Sequence, residues 1–179
     1  MLMLKSYQKS HSPRLVLAGA LIWLGLIASL LLMTPAARAD SISTYNVAVG
    51  MDAFGVASFS ESINYVFAGQ QHGIYRDVPT TGKLPDGKYI HYDFSLITAL
   101  RDSKVEPRSQ STVGSYERIK IGDPKKTITG AHSYDLRYTL APFVRHDPKG
   151  DYISVNVIGT EWDASIARAE ATLTLPTSV

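Results

Sequence analysis

The chain has 179 residues, 45% of them apolar and 19% charged, a globular composition that excludes intrinsic disorder and collagen-like repetition. It contains no cysteine, which also excludes disulfide frameworks, thiolate zinc sites, thiol nucleophiles and cysteine-held iron–sulfur clusters. The net charge of +2 sits at one end: residues 1–39 hold Lys5, Lys9, Arg14 and Arg38 and no acid. The remainder has fourteen cations against sixteen acids, which gives no case for nucleic-acid binding.

Leu15 to Met33 is a run of 19 residues without a charge, preceded by three cations and followed by Thr34-Pro35 and Ala37-Arg38-Ala39. A basic region, an apolar helix and a small-x-small site, in that order, read as a secretory signal cleaved after Ala39. The run is also long enough to cross a bilayer, which takes about 20 residues, so an uncleaved N-terminal membrane anchor stays open. In both readings residues 40–179 form one domain outside the cytoplasm, because the cationic flank stays inside.

From residue 40 the apolar positions recur with a period of two, which predicts strands. Tyr45, Val47 and Val49 predict the first. Phe59, Glu61, Ile63, Tyr65 and Phe67 alternate with Ser58, Ser60, Ser62 and Asn64 and predict a second with one buried face. Gly69 opens a loop over residues 69–80. Ile90, Tyr92, Phe94 and Leu96 alternate with polar neighbours between Tyr89 and Ile97. Asp102 to Gly114 is polar, contains Pro107 and is expected to be a loop. Tyr116 to Ile121 is a short strand ending at the turn Gly122-Asp123-Pro124. His132, Tyr134, Leu136, Tyr138 and Leu140 line one face of the next strand, and Ile153, Val155 and Val157 make another. Asp163 to Ala171 is the one helix candidate, since Asp163 suits a cap, but is read as a turn leading into a strand that ends at Leu175. Seven or so strands separated by Gly, Pro and Asp predict an all-β antiparallel sandwich, immunoglobulin-like, behind an N-terminal hydrophobic signal helix.

Three stretches in order carry a resemblance: His72-Gly-Ile-Tyr-Arg-Asp-Val-Pro79, then Ile121-Gly-Asp-Pro124 with Thr129 to Tyr138, then Val155-Asn-Val-Ile-Gly-Thr-Glu-Trp162. With Glu61 to Phe67 before them, they resemble the predicted bacterial membrane-protein family whose N-terminal domain is domain of unknown function 2207. The resemblance covers roughly residues 41–176. It implies an extracytoplasmic domain behind a signal peptide and followed by membrane helices, and it brings no catalytic residues or ligand. The chain ends at Val179 without such helices, which leaves open a fragment of a longer product or a secreted version.

Glu61 is the anomaly of the second strand, a carboxylate on the apolar face between Phe59 and Ile63. Burying it unpaired costs several kcal/mol, so a cation or several donors must meet it. Arg76 is the expected partner, because its planar fork binds a carboxylate at two points. The pair is read either as a structural tie from strand to loop or as a tuned acid in a site. His72, Tyr75, Arg76 and Asp77 form the candidate ligand or interaction loop, at an end of the sandwich where such folds present contacts. The alternative is a structural corner with Gly73 at positive φ. Tyr75 and Tyr89 are candidates for an exposed carbohydrate- or peptide-binding surface. Tyr65, Tyr92, Tyr134 and Tyr138 are expected in the core with wet hydroxyls, and Trp162 as a plug at its end. His72, His91 and His132 lack metal-ligand spacing. No Gly-x-Ser-x-Gly elbow, phosphate loop or Asn-x-Ser/Thr occurs, so no metal, cofactor or N-glycan is expected. A glycosidase pair would have to come from Glu61, Glu117 and Glu161. The expected function is a non-enzymatic binding, sensing or protein-interaction module. It would be tied to the membrane through the leader or the missing C-terminal helices, with a protein or envelope polymer as partner. The alternative is an envelope hydrolase acting on polysaccharide or peptide; a spacer or assembly surface is a third reading.

Overall fold

The structure is a computed structural model and describes residues 39–84, 87–147, 150–154 and 156–176. The expected signal or anchor helix and Val155 lie outside the described residues. Fourteen strands follow in chain order among them. They are β1 (Ser41–Met51), β2 (Ala57–Gln71), β3 (Ile74–Pro79), β4 (Thr81–Lys83), β5 (Tyr89–His91), β6 (Asp93–Arg101) and β7 (Lys104–Val105). Then come β8 (Arg108–Val113), β9 (Tyr116–Ile121), β10 (Ile128–Ala141), β11 (Arg145–Asp147), β12 (Gly150–Tyr152), β13 (Ser165–Ile166) and β14 (Ala169–Thr174). Among the described residues no helix is long and apolar enough to cross a membrane.

The strands pack as an all-β, sandwich-like fold. A large sheet runs β13-β1-β2-β10-β6-β7, with β14 also on β1, and a small sheet runs β3-β9-β8. The period-two residues point between them. Tyr45, Val47 and Val49 from β1, Phe59 and Ile63 from β2, and Tyr134, Leu136, Tyr138 and Leu140 from β10 are buried against Ile74, Val78, Ile119 and Ile121 of the small sheet. The long β2–β10 and β1–β2 pairings are antiparallel and fix this register; a slip of one residue would turn the whole inward set to solvent.

Four expectations are corrected. β13 and β14 join β1 in parallel, against an all-antiparallel arrangement. They arrive from the irregular segment 156–164, and only a connection longer than a hairpin permits parallel entry. Ile153 and Val157 do not lie in a strand; both are half-buried residues of connecting segments packed on the core. The expected loop at Asp102 to Gly114 contains β7 and β8. All six residues of β8 are exposed, so it has no apolar alternation to announce it. The expected loop over 69–80 contains β3, fully paired along β9.

β6 turns into β7 through Asp102 and Ser103, whose φ values of 51° and 63° make a two-residue hairpin of the left-handed kind. Asp102 is tied across to β10: its Oδ1 accepts from Ser133 N–H at 3.0 Å, and its Oδ2 lies 2.8 Å from His132 Nδ1. Burial works against its charge, but the bonds from His132 and Ser133 outweigh it and hold the carboxyl below the usual carboxylate range. A depressed folded value stabilises the fold above the ordinary carboxylate pKa, and that contribution is lost as pH falls through the folded value. Asp102→Asn tolerates the same backbone and removes the charge and one of the two acceptor oxygens. It should lower the urea midpoint at pH 7 by an amount worth at most about 1 kcal/mol, and the difference from the parent chain should shrink as pH falls below the ordinary carboxylate range.

Candidate functional site

At the middle of the inner face of β2, Glu61 is 1% exposed and accepts four hydrogen bonds. Arg76 Nε and Tyr45 Oη donate to Oε2, each at 2.8 Å. Arg76 Nη2 and Tyr138 Oη donate to Oε1, at 2.7 and 2.6 Å. The four groups come from four strands. Tyr45 on β1 and Tyr138 on β10 stand diagonally beside Glu61, because their direct partners on β2 are Ile63 and Phe59. Arg76 reaches across from β3 in the facing sheet and is itself 2% exposed. Burial opposes its charge, and Glu61 more than offsets this and drives its pKa upward. Burial, reinforced by Glu61, likewise pushes the Tyr45 and Tyr138 hydroxyls well above the ordinary phenol range, so both remain donors.

The guanidinium is closed in from the remaining sides. Its Nη1 donates to Asp77 O at 2.5 Å. Its carbon lies 5.9 Å from the ring centres of both Tyr45 and Trp162, and those two rings meet edge to face. Trp162 is held by its Nε1, which donates to Ile158 O at 3.0 Å. Gly159 has φ +82°, and a Cβ there would stand 3.0 Å from Arg76 Nη1, so the segment passes this close only because the residue is glycine.

The outer face of β3 holds a second pair. Arg118, opposite on β9, donates to both oxygens of Asp77, at 2.8 and 2.6 Å. Tyr75 is 53% exposed on the same face, with Arg118 and Lys120 over its ring at 5.3 and 5.8 Å. His72 lies outside β3, its Nδ1 2.8 Å from Lys126 O. The supposed loop residues therefore divide: Arg76 and Asp77 are buried and ion-paired on opposite faces of a strand, and Tyr75 and His72 face outward. The polar run misled the loop reading because its two charges are neutralised from outside the segment. The three histidines are dispersed, His91 beside Thr81 Oγ1 and His132 beside Asp102. Glu117 is held by Gln110 and Thr112, and Glu161 by Tyr116 and Thr160. The tyrosine hydroxyls also depart from expectation. That of Tyr138 is buried on Glu61, and that of Tyr134 is buried without a partner among the described residues.

A cleft of about 250 Å³ opens between the sheets beside this unit. Arg76 and Tyr138 line it together with Phe59, Val78, Leu140 and Phe143. Lys83, Arg145, Ser154 and Asn156 stand among its polar lining. Arg145 donates through Nη2 to Tyr92 Oη and packs against Gly82, where a Cβ would stand 2.7 Å from that nitrogen. Sequence reasoning missed this cleft and the hydroxyls of Tyr45 and Tyr138, because only the register places them together. The inward period of both tyrosines was the available signal.

A family model described as "Predicted membrane protein (DUF2207) N-terminal domain" matches residues 41–179. The chain belongs to this family. No curated protein sequence matches it. Solved structures similar to this DUF2207 domain include a mutant M1 zinc metallopeptidase from Deinococcus radiodurans bound to a Tyr-Ser-Ala substrate. The TM-score is 0.43 at 12% identity, covering 62% of this chain and 22% of that one. Native leukotriene A4 hydrolase from Saccharomyces cerevisiae gives 0.41 at 6% identity, over 56% and 15% of the two chains. Legionella pneumophila aminopeptidase A in complex with aspartic acid gives 0.36 at 6%, over 61% and 12%. This chain spans less than a quarter of the length of these proteins.

In the DUF2207 domain the stretches that carried the resemblance have structural work. Gly73 and Gly122 meet back to back where β3 begins and β9 ends: a Cβ on Gly73 would stand 1.9 Å from Ile121 O, and one on Gly122 1.8 Å from His72 O. Arg76 supplies the fork, and Gly159 with Trp162 covers it. Glu61→Gln leaves a buried guanidinium without its anion and should cost about 3–5 kcal/mol, a large share of a domain's usual 5–15. Tyr138→Phe removes one bond to a charged group and should cost about 1.5–3 kcal/mol. Replacing the whole unit (Tyr45→Phe, Glu61→Met, Arg76→Met and Tyr138→Phe) should recover most of the loss of Glu61→Gln. Urea denaturation of the three variants checks the ranking.

Proposed function

We propose that this DUF2207 domain is a non-catalytic binding module of a membrane protein, presented outside the cytoplasm, with recognition at the intersheet cleft and the adjoining outward face of β3. One observation carries the reading. Glu61, the carboxylate bonded to the cleft-lining residues Arg76 and Tyr138, has both oxygens doubly occupied by internal donors, so it is spent as a base and serves instead to hold those two residues rigid. A general acid or base needs a position within hydrogen-bond reach of a substrate proton, and Glu61 has none open. A recognition surface instead needs polar groups fixed in advance, which this arrangement supplies. Tyr75, flanked by Arg118 and Lys120, adds an exposed aromatic to which a peptide or sugar ring could stack.

The full chain in lipid nanodiscs, exposed to mixtures of short peptides and oligosaccharides, should retain a subset of them unchanged in mass. Ser154→Trp, at an exposed cleft residue, should abolish retention without lowering the melting temperature. Mass-spectrometric detection of cleavage products that disappear in Glu61→Gln, with the fold intact, would establish the hydrolase instead.

A further inference from the structure

We infer that the intersheet cleft binds a small organic anion, a carboxylate carrying an apolar body of about ten non-hydrogen atoms, with Arg145 and Lys83 taking the charge. The inference rests on the reading of the cleft as a binding site and names the class of ligand.

Charge is the first ground. The lining includes three cations, Arg76, Lys83 and Arg145, and no Asp or Glu among the described residues. Arg76 is neutralised by Glu61. Lys83 and Arg145 make no ion pair with a described carboxylate, so among the described residues the cleft carries two positive charges without an acidic partner beside an apolar wall. Walls of low dielectric strengthen the pull of such charges on an anion.

The second ground is an unspent donor. Arg145 donates through Nη2 to the Tyr92 hydroxyl, but its Nε is buried and has no acceptor among the described residues. Buried N–H groups are rarely left so, and a guanidinium oriented by two phenol hydroxyls, those of Tyr92 and Tyr152, holds a planar fork in a fixed attitude suited to a carboxylate. The fork's place is built into the backbone, because Gly82 leaves the space in which it lies.

Size and surface set the rest of the ligand. A cleft of about 250 Å³ takes a single ring or short branched chain, not a polymer segment of several units. Phe59, Leu140 and Phe143 offer apolar surface to that body, with the ring of Phe59 stacked on Tyr138 and met edge-on by Phe143. A bare phosphate would satisfy the cations and leave these rings unused.

Titration calorimetry on the full chain in lipid nanodiscs, with empty nanodiscs as blank, tests this with sodium benzoate, neutral benzamide and inorganic phosphate. Benzoate should saturate the protein below roughly 5 mM. Benzamide and phosphate should each bind at least about tenfold more weakly. Lys83→Gln, Arg145→Gln and Gly82→Ala should each weaken benzoate by about fivefold or more. Lys83 is exposed, so its variant reports even if a change at Arg145 or Gly82 disturbs folding. Equal affinity for benzoate and benzamide would overturn the anion and leave a binding cleft standing. Phosphate binding as tight as benzoate would overturn the apolar body. Benzoate affinity unchanged in both Lys83→Gln and Arg145→Gln would overturn the assigned residues. Failure of all three probes, together with Ser154→Trp retaining the same peptides and sugars as the parent chain, would overturn the cleft as a site altogether.

Discussion

A carboxylate placed on the inward face of a central strand must find its donors inside the protein, and Glu61 finds all of them. Two come from the opposite sheet through one arginine, and one each from the strands on either side. The small sheet is thereby held at a distance and register that let a guanidinium span the gap. The pairing of β3 with β9, the meeting of Gly73 with Gly122 and the closing of the 156–162 segment over Arg76 are all compatible with that one geometry. Each becomes harder to satisfy if Arg76 moves by the width of an atom.

The cleft follows from the same constraint. Facing sheets usually fill the space between them with interdigitating side chains. Here Arg76 is drawn toward Glu61, and the space beside it is bounded by Pro79, Gly82 and Tyr92 from the β3–β6 stretch and by Phe143 and Arg145 after β10. Arg76 and Tyr138, bonded to Glu61 on their far side, fix that part of the wall in place. The hydrogen-bond network and the cleft are two faces of one arrangement.

How much of this could be read from the residues depended on whether a signal was local. β2 and β10 were legible because their alternation is long and their buried face uninterrupted apart from Glu61. That interruption was informative: a lone acid among Phe59, Ile63 and Tyr65 demands a partner, and Arg76 was the residue able to answer with two bonds. β3 resembles a loop in sequence because Tyr75-Arg76-Asp77 looks like a solvated run, and although Glu61 points to Arg76, nothing in the run reveals that Arg118 neutralises Asp77 from another strand. β8 was lost for the opposite reason, since every side chain on it faces solvent and the period carries no hydrophobic contrast. The parallel entry of β14, the diagonal placement of Tyr45 and Tyr138, and the seat of Arg145 against Gly82 are facts of register and crossing. They belong to pairs of distant segments and have no local sequence signature.

A buried ion pair is a weak source of stability, since removing two charges from water costs about what their attraction returns. Its worth in this fold lies in discrimination. An apolar side chain at position 61 would tolerate many offsets between the sheets, because dispersion contacts are non-directional and soft. A carboxylate with four directional donors tolerates few. If β1 or β10 slips by one residue along β2, Tyr45 or Tyr138 turns to the outer face and an acceptor is left empty in the core. If the small sheet slides, both arginine bonds fail together and two charges are stranded. Competing registers are therefore raised in energy by far more than the native one is lowered. That gap between arrangements, more than the depth of the native one, is what a preformed cleft between two sheets requires.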